Sequence, residues 1–258
     1  MARIRKSIPG VDTKLFIKDT AKLLPDPARR IFLRGGASLG AVAFLAGCDI
    51  TDGATAENAL SAMSRFNDRV QAIIFGLNRL APTYPESAIT KPFPFNAYYN
   101  EDEAPEVDGG DYKLKVGGLL QETKSWTLPE LYALPQESQV TRHICVEGWS
   151  AIGKWSGARL SDFLHRIGAD TKAKYVNFIC AEGYSTSIDM PTAMHPQTQM
   201  TFKFADEILP RSYGFPMKIR MPTKLGFKNP KHVTEMYVTN TYPGGYWEDQ
   251  GYNWFSGL

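Results

Sequence analysis

Arg142-His143-Ile144-Cys145-Val146-Glu147-Gly148-Trp149-Ser150 is the stretch on which the reading turns. Val140 to Val146 has the composition of a strand, and the strand is expected to end at Cys145. The glycine that follows marks a turn, and a side chain at the end of a strand is presented to a loop, where sites tend to lie. A thiolate is a soft ligand suited to a soft or high-valent metal. Arg142, and His143 when protonated, would favour the thiolate. His143 itself is expected on the opposite strand face from Cys145. The same cysteine also reads as a small core residue.

Working outward, the chain downstream carries cations without acids. Between Ile208 and Thr234 there is no Asp or Glu, while Arg211, Lys218, Arg220, Lys224, Lys228 and Lys231 all fall there. Alternation along Met217–Met221 puts Lys218 and Arg220 on one strand face. Lys224-Leu-Gly-Phe-Lys228 is a glycine-containing turn before Asn229-Pro230-Lys231. Converging cations and turn N–H groups suit a phosphate monoester; a solvated basic face is the plainer alternative.

The other elements are short. Tyr112–Val116, Lys174–Cys180 and Val233–Thr239 read as strands. Thr127 caps a helix over Leu128–Leu134 with Pro129 in its first turn, and Leu160, Phe163, Leu164 and Ile167 have helical spacing. Strands mixed with short helices predict an α+β fold in which strands dominate. No glycine-rich phosphate loop follows a strand, which argues against a dinucleotide-binding domain. Ala81–Phe95 holds Pro82, Pro85, Pro92 and Pro94 and reads as an extended connector. Before it, Ala56–Leu80 has apolar residues at steps of three and four, an amphipathic helix that docks on its own domain or faces a membrane or partner.

The N-terminus reads as an address. Arg29-Arg30 precede a small, apolar stretch from Gly35 to Ala46, the length of a signal rather than a span. A twin-arginine signal implies export of an already folded, often cofactor-loaded, protein. Leu45-Ala46-Gly47-Cys48 resembles a lipobox, which would acylate Cys48, and Asp49 favours inner-membrane retention. The expected organisation is an export signal over 1–48, helix and connector over 49–92, and a catalytic domain over 93–258. Three cysteines among 258 residues do not make a disulfide scaffold, and a net charge of +2 gives no reason to expect a nucleic-acid partner.

Four segments in order resemble the sulfite oxidase-type molybdopterin domain, in its periplasmic methionine sulfoxide reductase branch. They are Phe95–Asn100, Arg142–Ser150, Ala193-Met-His195-Pro196, and Gly214–Lys218 continuing to Pro222–Lys228. The resemblance implies a molybdenum–molybdopterin cofactor (Mo-MPT) with Cys145 as the protein's metal ligand. It implies cofactor contacts from Asn96, Tyr99, Asn100, Tyr213 and Lys218, with Asn229, Pro230 and Lys231 at the phosphate end. His143 would order the pocket or bind the pterin edge. Lys218 stands where the reductases usually carry Arg, a point charge in place of a fork. Cys180 stands where they often carry Thr, lining the pocket or simply buried; a Cys145–Cys180 disulfide would consume the metal ligand. His195 is a proton relay or a structural histidine. The aromatic stretch Tyr242–Trp254 rims the site, meets a partner, or wraps the domain.

The arginine pair that suits an anionic substrate in the sulfite-oxidising branch is replaced here by Glu147, Gly148, Trp149 and Ser150. No CxxCH motif occurs in these 258 residues, and neither a haem domain nor the dimerisation domain of that branch is expected. The expectation is therefore a monomeric catalytic subunit in the periplasm that transfers an oxygen atom from a small-molecule sulfoxide or N-oxide. Its electrons come from a membrane cytochrome b, and it uses the twin-arginine export machinery. Oxidation of a small sulfur compound, and a lipoprotein that binds an anion without chemistry, are the rival expectations.

Overall fold

The structure, a computed structural model, describes residues 53–74 and 79–258. The export signal and Cys48 lie outside the described residues. Two compact units divide the chain, Met1–Ala62 and Met63–Leu258. The first is described only where helix α1, Gly53–Ile74, begins; the rest of the helix belongs to the second, as does everything below.

Two five-stranded sheets form the second unit. One has the order β2-β1-β10-β5-β6, from β1 (Lys113–Gly118), β2 (Trp126–Thr127), β5 (Tyr175–Cys180), β6 (Ser185–Asp189) and β10 (Val233–Thr239). Its only parallel pair is β1 with β10; the other pairs are antiparallel. The other sheet runs β3-β4-β7-β8 with β9 on β7. It is built from β3 (Gln136–Ile144), β4 (Ser150–Arg159), β7 (Gln199–Phe204), β8 (Glu207–Ile208) and β9 (Lys218–Arg220). Short helices α2 (Leu128–Tyr132), α3 (Leu160–Arg166) and α4 (Met190–Ala193) connect strands. This is the α+β, strand-rich architecture expected.

The core follows from alternation. In β1, Leu114 and Val116 are buried between exposed Lys113 and Lys115, and in β5 Val176, Phe178 and Cys180 are buried. They pack with Phe163 and Leu164 of α3 and with Met200 and Phe202 of β7, so one core joins both sheets. Thr127 caps α2 as expected, its backbone N–H bonded to the Glu130 carboxylate at 2.8 Å.

Several boundaries differ from expectation. β3 runs from Gln136 to Ile144, starting before Val140 and ending one residue before Cys145; α2 ends at Tyr132 rather than Leu134; and Arg79 and Leu80 are not helical. β4 is also longer than its sequence suggests, because Gly153 and Gly157 interrupt its pattern. Gly157 is needed there: β7 approaches so closely that a Cβ would overlap the Met200 carbonyl.

Candidate active site

The β3–β4 hairpin sets the position of Cys145. Nine residue pairs run from Gln136↔Ala158 to Ile144↔Ser150. The turn beyond them is closed by Cys145 N–H to Trp149 O at 2.9 Å and Gly148 N–H to Cys145 O at 3.2 Å. Gly148 sits at φ +91, a left-handed conformation that favours glycine. Cys145 is thereby fixed one residue past a rigid ladder, its Sγ 3.7 Å from Glu147 Oε2. Glu147 also accepts from Trp149 Nε1 at 2.9 Å.

Cys145 lines a cavity of about 810 Å³, open mouth included, with walls from five parts of the chain. Asn96 and Tyr99 come from the Phe95–Asn100 segment, Glu182 and Tyr184 from the β5–β6 turn, Gly226, Asn229, Pro230 and Lys231 from the basic segment, and Trp247 and Tyr252 from the closing aromatic stretch. Gly226 passes so near His143 that a Cβ would lie 2.7 Å from Nε2, so this turn requires glycine.

Two expectations are corrected here. His143 does not face away from Cys145: both are buried, and His143 Nε2 lies 3.2 Å from Asn96 Nδ2 on the cavity's own wall. Residues two apart in a strand share a face. Nor do its basic neighbours favour the thiolate. The Arg142 guanidinium lies over Tyr84, 5.1 Å from the ring centroid, and His143 is kept neutral by burial and by Arg220, Lys218 and Lys231. Burial, with Glu147, instead pushes the Cys145 thiol up.

The basic segment is not a solvated face. Lys218, Arg220 and Lys231 are buried, at 2%, 1% and 7% exposure. Arg220 donates to Asn229 Oδ1 at 3.0 Å and to Arg142 O at 2.6 Å; Lys231 donates to Ser212 O at 2.7 Å. The Lys218 ammonium makes no hydrogen bond with a described residue and lies 4.9 Å from the Trp155 ring centroid. Burial, reinforced by Lys231 and Arg220, pushes the Lys218 ammonium well down, and burial brings Lys231 down to about 7. Glu182 is the acid nearest in effect to Lys231, and burial raises its own carboxyl to about 7.

These observations test the fit of an anionic cofactor. Three buried cations and a neutral histidine cluster here, and none of the three cations forms a salt bridge with a described residue, Glu147 and Glu182 of the cavity included. His143 Nδ1, Tyr99 OH, Arg220 Nε and Glu182 Oε2 are buried without partners among the described residues. Burying charge without compensation is costly, and an anionic group with several acceptors supplies what is missing. The residues fit.

The oxidoreductase molybdopterin binding domain matches residues 101–247, more than half of the chain. The chain belongs to this family. It is a molybdopterin-dependent oxidoreductase with a sulfite oxidase-type fold. A relative from Azospira oryzae, provisionally named a protein-methionine-sulfoxide reductase subunit, YedZ1, is 61% identical over 93% of this chain and 92% of its own. Catalytic subunits named protein-methionine-sulfoxide reductase MsrP are more distant. That of Ralstonia nicotianae is 29% identical over 53% of this chain, and that of Xanthomonas axonopodis pv. citri 30% over 57%. The chain spans 46% and 52% of their lengths. The sulfane dehydrogenase SoxCD of Paracoccus pantotrophus shares the fold, with a TM-score of 0.50 at 20% identity over 54% of this chain and 40% of that one.

Of the residues singled out in the sequence, Asn96, Tyr99, Cys145, Asn229, Pro230 and Lys231 meet at the cavity. His143 and Lys218 stand behind its wall. Tyr213 donates to Phe93 O at 2.7 Å and packs on Phe204 and Trp155, and exposed Asn100 begins the Glu101–Glu103 turn. Cys180 is buried at the end of β5, and both it and Cys145 are free thiols. His195 is a structural histidine, accepting from Gln197 N–H at 3.1 Å with Nε2 3.1 Å from Arg79 O. Sequence reading placed Arg220 with Lys218 among the converging cations without naming it as a cofactor contact, and it missed Glu182, which nothing in the sequence marks.

Proposed function

We propose that this chain is the periplasmic catalytic subunit of a sulfoxide reductase, with molybdenum held by the Cys145 thiolate and electrons delivered by a membrane cytochrome b. The carrying observation is the cavity that brings Cys145 together with Lys231, with Lys218 and Arg220 buried behind it and none of the three in a salt bridge with a described residue. Lys231, Asn229 and Pro230 bind the cofactor's phosphate end. Lys218 and Arg220 neutralise it from behind, and His143 and Asn96 hold its pterin edge. Bound there, the molybdenum–pterin supplies two-electron oxygen-atom exchange. N-oxides are the alternative acceptor.

Reducing a sulfoxide to a thioether takes two electrons and two protons and releases water. Glu182, whose carboxyl titrates near neutrality, holds a proton at its buried Oε2 for that step. Tyr98, Tyr184, Trp247 and Tyr252 supply aromatic edges on which a thioether sulfur packs. The names of the relatives, and the lack of an arginine pair after Cys145, support a neutral sulfoxide over sulfite. Among the described residues no helix is long and apolar enough to cross a membrane. We place the export signal over 1–48, with acylation at Cys48 holding the domain near its membrane donor.

A reduced-dye assay over a panel of sulfoxides and N-oxides tests this. Sulfoxides should oxidise the dye in proportion to bound molybdenum. Failure of every panel member, with dye reduction by small sulfur compounds instead, would overturn the reductive reading.

A further inference from the structure

Helix α1 is attached to its domain by its polar side. Asp68 Oδ1 accepts from Asn253 Nδ2 at 2.7 Å and from the Phe255 backbone N–H at 2.9 Å. Gln71 Oε1 accepts from Gly257 N–H at 3.1 Å. Ser64, Asp68 and Gln71 are the half-buried residues between Met63 and Ile73, and at 3.6 residues per turn they share one face. Met63, Phe66, Val70 and Ile73, at steps of three and four, make a different face, and they are 61%, 65%, 37% and 83% exposed. A surface helix ordinarily turns its apolar stripe to its own core. Here the orientation is reversed, and no described residue covers the stripe.

Two further features indicate what does. Arg69 borders the stripe and Arg65 lies one turn earlier on the same side. Both are exposed, and neither is in a salt bridge with a described residue. An apolar stripe bordered by arginines is the pattern of a helix lying in a membrane interface. Gly53, where α1 begins, also follows Cys48 closely. At ~3.5 Å per extended residue, an acyl group on Cys48 would keep the helix start within roughly 18 Å of the bilayer.

We propose that α1 is an interfacial helix. Met63, Phe66, Val70 and Ile73 enter the headgroup–acyl boundary of an anionic bilayer, and Arg65 and Arg69 meet lipid phosphates. Asp68 and Gln71 tie the helix to the domain, so the membrane fixes the orientation of the enzyme and not only its distance. A single flexible acyl anchor cannot do that. The proposal deepens the periplasmic, membrane-anchored reading above, and its test separates the two.

The probe is a cofactor-loaded chain starting at Asp49, which keeps every described residue and cannot be acylated. It is sedimented with vesicles of phosphatidylcholine, with or without phosphatidylglycerol. Binding to the anionic vesicles is expected. Phe66→Ser with Ile73→Ser should weaken it by about ten-fold or more, and Arg65→Gln with Arg69→Gln should abolish the preference for phosphatidylglycerol. Both variants lie on the surface and should keep full dye activity per molybdenum, which excludes misfolding. No binding to either vesicle, or equal binding by the Phe66/Ile73 variant, would overturn the proposal. So would binding confined to a third arm of native membrane vesicles that keep their proteins, which would make the stripe a protein-docking face. Mass spectrometry of the exported chain reports acylation of Cys48 independently, so a lipid-free Cys48 would remove the anchor while leaving the helix assignment standing.

Discussion

Two buried lysine sites in one short segment show how differently a charge can be held. Lys228 lies at 1% exposure and its Nζ is 2.5 Å from Glu248 Oε1 and 2.5 Å from Ser187 O. Its compensation is internal. Lys231, three residues on, is also buried, but the one hydrogen bond of its ammonium among the described residues is to the Ser212 carbonyl, and it lines the cavity with Lys218 and Arg220 buried behind it. A burial cost met inside the protein marks a structural ion pair. A cost left unmet marks a place for a ligand.

That contrast can be broken most strongly at Glu248. Glu248→Gln leaves Lys228 facing a neutral amide in the core and should destabilise the protein by about 3–5 kcal/mol in denaturant unfolding. Activity per correctly folded, molybdenum-loaded molecule should change little. At the other site the sign reverses. Lys231→Met should leave the cofactor-free protein as stable or more stable, because it removes a buried cation that forms no salt bridge with a described residue. Cofactor retention should fall by about 2–3 kcal/mol, roughly 30- to 150-fold, measured as molybdenum and pterin per chain after dialysis. Loss of stability without loss of cofactor would mean that Lys231 is structural.

A smaller effect sharpens the same comparison by pH. Lys231 has its folded value lowered to about 7, so between about 7 and the ordinary lysine range the unfolded chain binds a proton that the folded chain does not. Stability of the cofactor-free protein should therefore rise with pH through that window, and be lowest below it. A bound anion restores the folded ammonium and should flatten the rise. Melting temperatures of cofactor-free and loaded protein between pH 7 and 10 check this; parallel curves would count against an anion at Lys231.

How much of this was legible beforehand depends on the range of the forces involved. Strand periodicity gave β3, β5 and β10, because alternation is local, and the expected Cys145 turn lies one residue past its strand. β4 was not legible, because Gly153 and Gly157 answer largely to Phe93 and to Phe204, Met200 and Thr201 of β7, outside their own strand. The cations of the basic segment were visible as a cluster, but only the fold shows that Lys218, Arg220 and Lys231 are buried rather than solvated. The apolar stripe of α1 was legible too. Which face docks was not, since that depends on Asn253, Phe255 and Gly257, nearly two hundred residues away in sequence.

The most direct test of the central claim is X-ray absorption at the molybdenum edge of the loaded protein, alongside a Cys145→Ser variant. The account predicts a sulfur neighbour beyond the two of the cofactor's dithiolene, lost in the variant together with turnover while the fold persists. The same sulfur count in both proteins, or full turnover by the variant, would contradict it.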